Sequence, residues 1–184
     1  MTPPAGWAQS VLDFWFGELT RADWFRKDEA IDAAIRARFF ELYELLARDA
    51  VDDALAHPDA SLAAILVLDQ FSRNMFRGTP RAFATDAKAR EIADRAVRQG
   101  FDAALPIERR VFIYLPFEHS ETPEDQNRAV ALLTALGDAE YGRYAQAHAD
   151  VIRRFGRFPH RNAILGRAST PDEAAYLAEP GSGF

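Results

Sequence analysis

Three short stretches of the 184-residue sequence concentrate residue types that bind ligands or transfer protons. The first, LDQFSRNMFR, places its polar side chains on one side of a helix. These are Asp69, Gln70, Arg73, Asn74 and Arg77. Large apolar residues flank this stripe and leave little room for a water-facing side, so we predict an interior groove that binds a ligand. The alternative is a solvated face with an Asp69–Arg73 pair that contributes about 0.3–0.5 kcal/mol.

The second stretch, FEHSE, places His119 between Glu118 and Glu121. Carboxylates hold the tautomer of a histidine and raise its basicity, so His119 and Glu118 are candidates for acid–base catalysis and Glu121 for ligand binding. A metal site that adds His148 and His160 is the alternative. Helical di-metal sites place Glu and His three residues apart, whereas Glu118 and His119 are adjacent. The spacing therefore predicts no bound metal.

The third stretch, RFGRFPHRNAILGR (154–167), combines four arginines with a histidine and an asparagine and contains no acid. A glycine ends the preceding helix and a Phe-Pro pair redirects the chain, which places the next polar residues on a turn or at a helix N-terminus. Backbone amides there add to the arginines in attracting an anion. We predict ligand binding by Arg154, Arg157, Arg161 and Asn162, with His160 as a second candidate acid or base.

An internal ion-pair network is the alternative explanation for these arginines. The network would join Arg154, Arg157 and Arg161 to Glu118, Glu121 and Asp69. Removing one partner of a buried pair is strongly destabilising, so loss of function on mutation fits both explanations. A measurement of ligand binding distinguishes a ligand site from an ion-pair network.

Composition narrows the class of protein. A net charge of −6 disfavours nucleic acid and anionic lipid as partners, although residues 70–85 and 151–171 contain arginines and no acid. The absence of cysteine excludes disulfides, thiol catalysis and thiolate metal sites, and fits a reducing cytoplasm. Neither a signal peptide nor a membrane-spanning run is present, so we expect a cytoplasmic location and no membrane association. Phosphate loops and dinucleotide fingerprints are also missing, which predicts no cofactor.

Helix signals recur along most of the chain, and no alternating strand pattern is present. Apolar residues between Ile31 and Leu46 recur every three or four positions, as on one face of a helix. Thr-Pro pairs at 122–123 and 170–171, each followed by acids, predict helix starts. Helix ends are predicted at Gly17, Gly78, Gly100, Gly137 and Gly156. We predict one all-α domain, residues 1–184, with seven to nine helices.

The apolar run VFIYLPF (111–117) fits either a buried strand or a buried helix. Pro106 and the charged residues after it resemble a helix start, and no partner strand exists. We therefore predict a buried helix that kinks or ends at Pro116, because proline leaves the carbonyl of Phe112 without its helical donor.

Five segments resemble the bacterial family catalogued as domain of unknown function 924, in that family's order from about Val11 to Leu177. They are VLDFWFGE, WFRKDEAID, LDQFSRNMFRGTPRAFATD, FIYLPFEHSE with DQNR after it, and RFGRFPHRNAILGRASTPDE. The resemblance implies an all-helical fold similar to tetratricopeptide-repeat superhelices, although the sequence shows no 34-residue repeat. It implies no reaction. The family's motif residues coincide with the candidate ligand-binding and catalytic residues named above.

Two classes of function fit these observations. In the first, a pocket lined by arginine, histidine and asparagine binds a small phosphorylated or carboxylated ligand. If this pocket is an active site, His119 or His160 serves as its acid or base. In the second, the helical array is an adaptor whose groove holds a peptide by its C-terminal carboxylate. A small closed pocket favours the first class and a long open groove the second. The sequence does not determine the oligomeric state.

Overall fold

The computed structural model of the protein describes residues 3–48 and 55–182. Across these residues the ordered elements are all helices and no strand is present, which confirms the all-α prediction. The chain divides into unit 1, with described residues 3–48, 55–77 and 81–116, and unit 2, with described residues 78–80 and 117–182. The single domain over 1–184 and the tetratricopeptide-like superhelix stay predictions. Within the same residues, no helix has the length and apolar character needed to span a bilayer.

Ten α-helical segments occur in the described ranges. In unit 1 they are α1 (Trp7–Asp13), α2 (Arg21–Trp24), α3 (Glu29–Arg48), α4 (Pro58–Ile65), α5 (Ser72–Met75), α6 (Asp86–Arg98) and α7 (Ile107–Glu118), whose last two residues belong to unit 2. In unit 2 they are α8 (Pro123–Thr134), α9 (Ala139–Phe155) and α10 (Pro171–Leu177). Short 3₁₀ turns occur at Pro80–Phe83, Asp102–Ala104 and Pro159–Arg161.

Two π-helical segments depart from the predicted helices. Phe14–Glu18 extends α1 through Gly17, where the sequence predicted a helix end. Leu66–Phe71 joins α4 to α5 without a break, so the described residues form nine separate helices, within the predicted range. A π turn disturbs the regular helical hydrogen bonding of the backbone. The hydroxyls of Ser72 and Thr85 donate to the carbonyl of Leu68 at 2.8 and 2.6 Å, which satisfies that group inside the protein.

The core of unit 1 is built around α4 and the π segment after it. Residues 62–68, LAAILVL, are all fully buried, as expected for a helix that is apolar on every side. α4 packs against α1 and α6, and the π segment packs against α3. The run at 111–117 is also buried and helical, which confirms that prediction. Helix α7 continues two residues beyond Pro116, to Glu118.

Unit 2 is centred on the pair α8 and α9, which pack along each other. Gly142 permits their close approach, because a Cβ atom at this position would lie 3.3 Å from Oγ1 of Thr134. Gly156, with φ of 69°, ends α9 in the left-handed conformation, as the sequence predicted. α10 begins at Pro171 with a capping box between Thr170 and Glu173. Val151, Ile152 and Phe158 form the buried apolar cluster beside these helices.

Candidate functional site

The first polar stretch forms a buried ion-pair network in unit 1. Nη1 of Arg73 lies 3.1 Å from a carboxylate oxygen of the fully buried Asp69, and the guanidinium also binds Asp86 through two bonds of 2.9 and 3.0 Å. Gln70 donates to the other oxygen of Asp69 at 2.6 Å. Burial acts to lower the pKa of Arg73, but Asp69 and Asp86 outweigh it and raise that pKa. The predicted Asp69–Arg73 pair is therefore present, in the interior instead of on a solvated face.

Two further residues of this stretch bind α3. Asn74 donates to a carboxylate oxygen of Asp32 at 2.7 Å, and Arg77 donates to both oxygens of Asp32 at 2.9 Å. The stretch thus connects α3, α5 and the start of α6 through two aspartates that sequence reasoning did not single out. These aspartates, Asp32 and Asp86, each lie in the first turn of a helix, and this position is the sequence signal that could have identified them. Whether this stretch binds a ligand stays a prediction.

The second and third stretches both belong to unit 2, where the turn after α7 brings them together. Nε2 of Gln126 donates to the carbonyls of Glu118 and Ser120 at 2.6 and 2.7 Å. Nη2 of Arg161 donates to the carbonyl of His119, between them, at 3.0 Å. The last carbonyls of a helix lack intrahelical donors and favour a nearby cation. Arg161 and Gln126 therefore act as caps for the C-terminus of α7.

His148, on α9, contacts this turn through Glu118. Nδ1 of His148 lies 2.9 Å from the carbonyl of Tyr144 and 3.5 Å from Oε1 of Glu118. Burial is the largest cause that lowers the pKa of His148 to about 3; the neighbouring His119, His160 and Arg161 side chains act in the same direction, and the bond to Tyr144 opposes them. The imidazole is consequently neutral. The shorter contact assigns its proton to Nδ1, so Nε2 carries the lone pair.

Phe158 contacts two of the three histidines and Arg161. Its ring centroid lies 5.6 Å from that of His148 and 5.5 Å from that of His160, and the guanidinium carbon of Arg161 lies 4.8 Å from the same ring. The rings of His119 and His148 are 6.4 Å apart. We call this group the histidine cluster. It consists of Glu118, His119, His148, His160 and Arg161.

Arg157, in contrast, forms an ion pair with a residue that the sequence prediction missed. Its Nε and Nη2 atoms donate to the buried carboxylate of Glu173, on α10, at 2.6 and 2.8 Å. The amide of Asn162 donates to the same carboxylate at 3.2 Å, and the backbone N–H of Thr170 donates to it at 2.8 Å. The hydrogen bond from Arg157 is the largest of the causes that lower the pKa of Glu173 to about 2. The only sequence signal for Glu173 was its place in the motif TPDE.

A second ion pair joins Arg167 to Glu121. Both terminal nitrogens of Arg167 donate to the Glu121 carboxylate, at 2.8 and 3.0 Å, and its Nε donates to Asn162 at 3.0 Å. The backbone N–H of Phe158 also donates to Glu121, at 2.8 Å. Burial acts to raise the pKa of Glu121, but these hydrogen bonds and the nearby arginines outweigh it and hold the pKa below its ordinary value. Ion pairs thus engage Arg157 and Arg167, but not those of the predicted network, which paired Arg157 with other carboxylates and did not include Arg167.

Arg154 lies outside both ion pairs. Its side chain is exposed on the outer side of α9, and its guanidinium carbon lies 4.6 Å from the ring of Phe155 and 5.9 Å from that of Tyr176. The histidine cluster therefore takes His160 and Arg161 from the third stretch but not Arg154. The predicted absence of a metal ion stays a prediction, although no group of three acidic or histidine side chains in the described part of the chain is arranged to hold one.

The Arg157–Glu173 pair predicts a pH-dependent stability. The folded-state pKa of Glu173 is about 2 and its ordinary value is 4.5, so the unfolded chain binds more protons in this interval. The stabilisation is complete above about pH 4.5 and is lost as the pH falls towards 2. We expect Glu173→Gln to reduce the acid-side pH dependence of unfolding by about one proton, measured by urea titrations between pH 2.5 and 6.

The neighbouring Asp172 provides a control for this measurement, because it is exposed on the same turn of α10. Asp172→Asn should leave the acid-side dependence as it is in the parent protein. Equal slopes for the Glu173→Gln variant and the parent protein would contradict the assignment of the ion pair.

Fold and site together define an all-α protein with a partly buried histidine cluster and two arginine–glutamate pairs. The profile of the family described as bacterial protein of unknown function (DUF924) matches residues 11–181, and the chain belongs to this family. The fold is similar to a solved structure of a protein of unknown function, ATU0120 from Agrobacterium tumefaciens. That similarity has a TM-score of 0.91 and 45% sequence identity, and covers 95% of this chain and 98% of that chain. No curated protein matches the sequence.

Proposed function

We propose that the histidine cluster of unit 2 binds a small anionic ligand, phosphorylated or carboxylated. The observation that carries the proposal is the convergence of the His119, His148 and His160 rings with the guanidinium of Arg161 in one cluster, where burial lowers the pKa of His148. Strongly perturbed pKa values and clustered charges of this kind concentrate at functional sites.

The accessibility of the cluster is consistent with ligand binding. His119 and His160 are half-buried, whereas His148 and Arg161 are buried. A ligand that enters between the two half-buried rings would meet the guanidinium in a partly desolvated place, where charge-assisted hydrogen bonds are strong. In this proposal His119 and His160 contact the ligand and are the candidate acid or base, with Glu118 beside them.

The two ion pairs take a different part in the proposal. Glu173 and Glu121 already bind Arg157 and Arg167 through paired hydrogen bonds, so a ligand would have to displace a carboxylate to reach either arginine. We therefore assign these arginines, together with Asn162, to holding residues 157–173 in place around the cluster. The proposal assigns anion binding to Arg161 because its guanidinium belongs to the histidine cluster and lies 4.8 Å from the ring of Phe158.

A thermal-shift screen tests the proposal. Inorganic phosphate and a panel of phosphorylated and carboxylated metabolites are added to the protein, and at least one is expected to raise its melting temperature. A ligand at about a hundred times its Kd stabilises the folded state by about 2.7 kcal/mol. Arg161→Met should abolish the shift, because it removes the charge while keeping an apolar side chain over Phe158.

Two further variants make this result interpretable. Arg153→Met removes an exposed arginine that pairs with Asp150 on α9, and should keep the full ligand-induced shift. His119→Gln should weaken it even if Arg161→Met folds poorly. If no compound stabilises the parent protein, or if Arg153→Met loses the shift as completely as Arg161→Met, the cluster is not an anion site.

A further inference from the structure

Arg36, on α3, is an exposed arginine for which the described ranges, 3–48 and 55–182, contain no carboxylate partner. Its guanidinium carbon lies 5.3 Å from the ring centroid of Phe76, a buried residue that follows α5. A guanidinium over an aromatic face is attracted by the ring, and this attraction restricts the conformations of the side chain. Arg36 is therefore a cation that is held in place and is still accessible from solution.

The spacing of residues on α3 explains why Arg36 has no acid partner. One face of the helix carries a row of residues at intervals of four, Asp32, Arg36, Phe40 and Glu44. A carboxylate four residues before an arginine is its favoured helical partner, but both oxygens of Asp32 accept from Arg77 instead. At the other end of the row Glu44 pairs with Arg81. The acids at both ends are thus occupied, and the arginine between them is not neutralised.

Positive charge exceeds negative charge on this face of unit 1. The guanidinium carbon of Arg81 lies 4.1 Å from the Phe76 ring, so it is closer to that of Arg36 than about 10 Å, the screening length at about 0.1 M salt. The face carries three arginines, Arg36, Arg77 and Arg81, and two carboxylates, those of Asp32 and Glu44. It therefore has an excess positive charge, although the chain as a whole has a net charge of −6.

The composition of this face indicates the kind of partner that it fits. Phe40 is half-buried, and its ring lies 6.4 Å from that of Phe76, so an aromatic surface borders Arg36. Arginine and aromatic residues concentrate where proteins bind one another. One guanidinium matches one carboxylate, which it binds through two parallel hydrogen bonds. Nucleic acids and other polyanions fit less well, because a carboxylate lies at each end of the row.

We infer that this face of unit 1 binds a peptide segment of another protein, which presents one carboxylate side chain to Arg36 and an adjacent apolar side chain to Phe40. Charge complementarity supports this occupant, since the uncompensated group is a single guanidinium beside an aromatic ring. The inference is independent of the ligand proposed for the histidine cluster, which belongs to unit 2.

Two peptides that differ in one side chain test the inference on the unmodified protein. The probe acetyl-Ala-Leu-Glu-Phe-Ala-amide is compared with its glutamine counterpart by NMR titration of the α3 amides and the Arg36 side chain. The glutamate peptide is expected to bind about fivefold more tightly, as for a well-placed charge pair at a surface. The net negative charge of the chain acts against an acidic probe, so this preference reports on the local face.

Three variants make the titration interpretable. Arg36→Gln should remove the preference and leave the melting temperature unchanged, because the side chain is exposed. Arg36→Lys keeps the charge but not the paired donors, so it should retain only part of the preference. The matched control is Arg98→Gln, which removes an exposed arginine of α6 that pairs with Asp94 and should keep the full preference.

Several outcomes would overturn the inference. They are equal affinities of the two peptides, no binding of the glutamate peptide, and a loss of the preference in Arg98→Gln as large as in Arg36→Gln. Tighter binding of inorganic phosphate than of the glutamate peptide at the same α3 amides would also overturn it, because the face would then be a site for a small anion. None of these results bears on the histidine cluster, whose residues are different.

Discussion

Replacing Phe158 with alanine is expected to lower the free energy of unfolding of unit 2 by about 3–5 kcal/mol. The ring is fully buried and belongs to the apolar cluster with Val151 and Ile152. It also contacts the rings of His148 and His160, so its removal opens a cavity next to polar groups. Urea unfolding followed by far-UV circular dichroism measures the loss, and hydrogen exchange of the α9 amides assigns it to unit 2.

Phe155 is the matched control for this variant. It stands three residues earlier, is only partly buried and packs against Tyr176. Phe155→Ala should cost about 1–2 kcal/mol, because less apolar area returns to water. Similar losses for the two variants would mean that Phe158 is not the centre of the unit 2 core. Phe158→Leu, which conserves most of the volume, should cost less than about 1.5 kcal/mol.

Replacing Asp69 with alanine is expected to destabilise unit 1 by about 3 kcal/mol. The change removes a fully buried partner of Arg73 and takes the acceptor from the amide of Gln70. Asp86 continues to bind Arg73, which keeps the cost at the lower end of the range for broken buried pairs. All three tryptophans, Trp7, Trp15 and Trp24, belong to unit 1, so tryptophan fluorescence during urea unfolding reports on this unit.

A comparison with an exposed ion pair shows how much of the expected loss of stability is due to burial and how much to the loss of a charge. Asp150 and Arg153 pair on the surface of α9 with more than half of each side chain exposed, and Asp150→Ala should change stability little. Asp69→Asn keeps one acceptor oxygen, so its loss of stability should lie between those of Asp69→Ala and Asp150→Ala. If Asp69→Ala is as harmless as Asp150→Ala, the buried network contributes no net stability to unit 1.

The helices were the most predictable part of the structure. α9 ends at Phe155, before Gly156, where the sequence predicted a helix end, because that glycine adopts the left-handed conformation; an aspartate caps the start of the helix. These signals are local, so they can be read without knowing the rest of the fold. The π-helical segment Leu66–Phe71 was not predictable in this way, because it depends on packing against α3 and α6.

The candidate site was predictable in its residue types but not in its pairings. Sequence reasoning identified the turn of Glu118 and His119 because a histidine between carboxylates suggests acid–base chemistry. It identified the segment with His160 and Arg161 because cations and aromatic residues without acids are unusual in an acidic chain. It missed the pairing of Arg167 with Glu121, which are 46 residues apart. Nothing in local spacing encodes which glutamate neutralises which arginine, since tertiary packing decides it. Gln126 was also missed, although the carbonyls that it binds belong to Glu118 and Ser120, close to it in sequence.

The π-helical segment between α4 and α5 shifts the angular phase of the residues that follow it. An α-helix turns by about 100° per residue, so one additional residue in a turn rotates the next side chains by about that angle. Arg73 and Asn74 reach Asp86 and Asp32 from this shifted phase. A single-residue deletion within 66–71 that restored a regular α-helix would therefore keep these polar side chains and direct them away from their present partners.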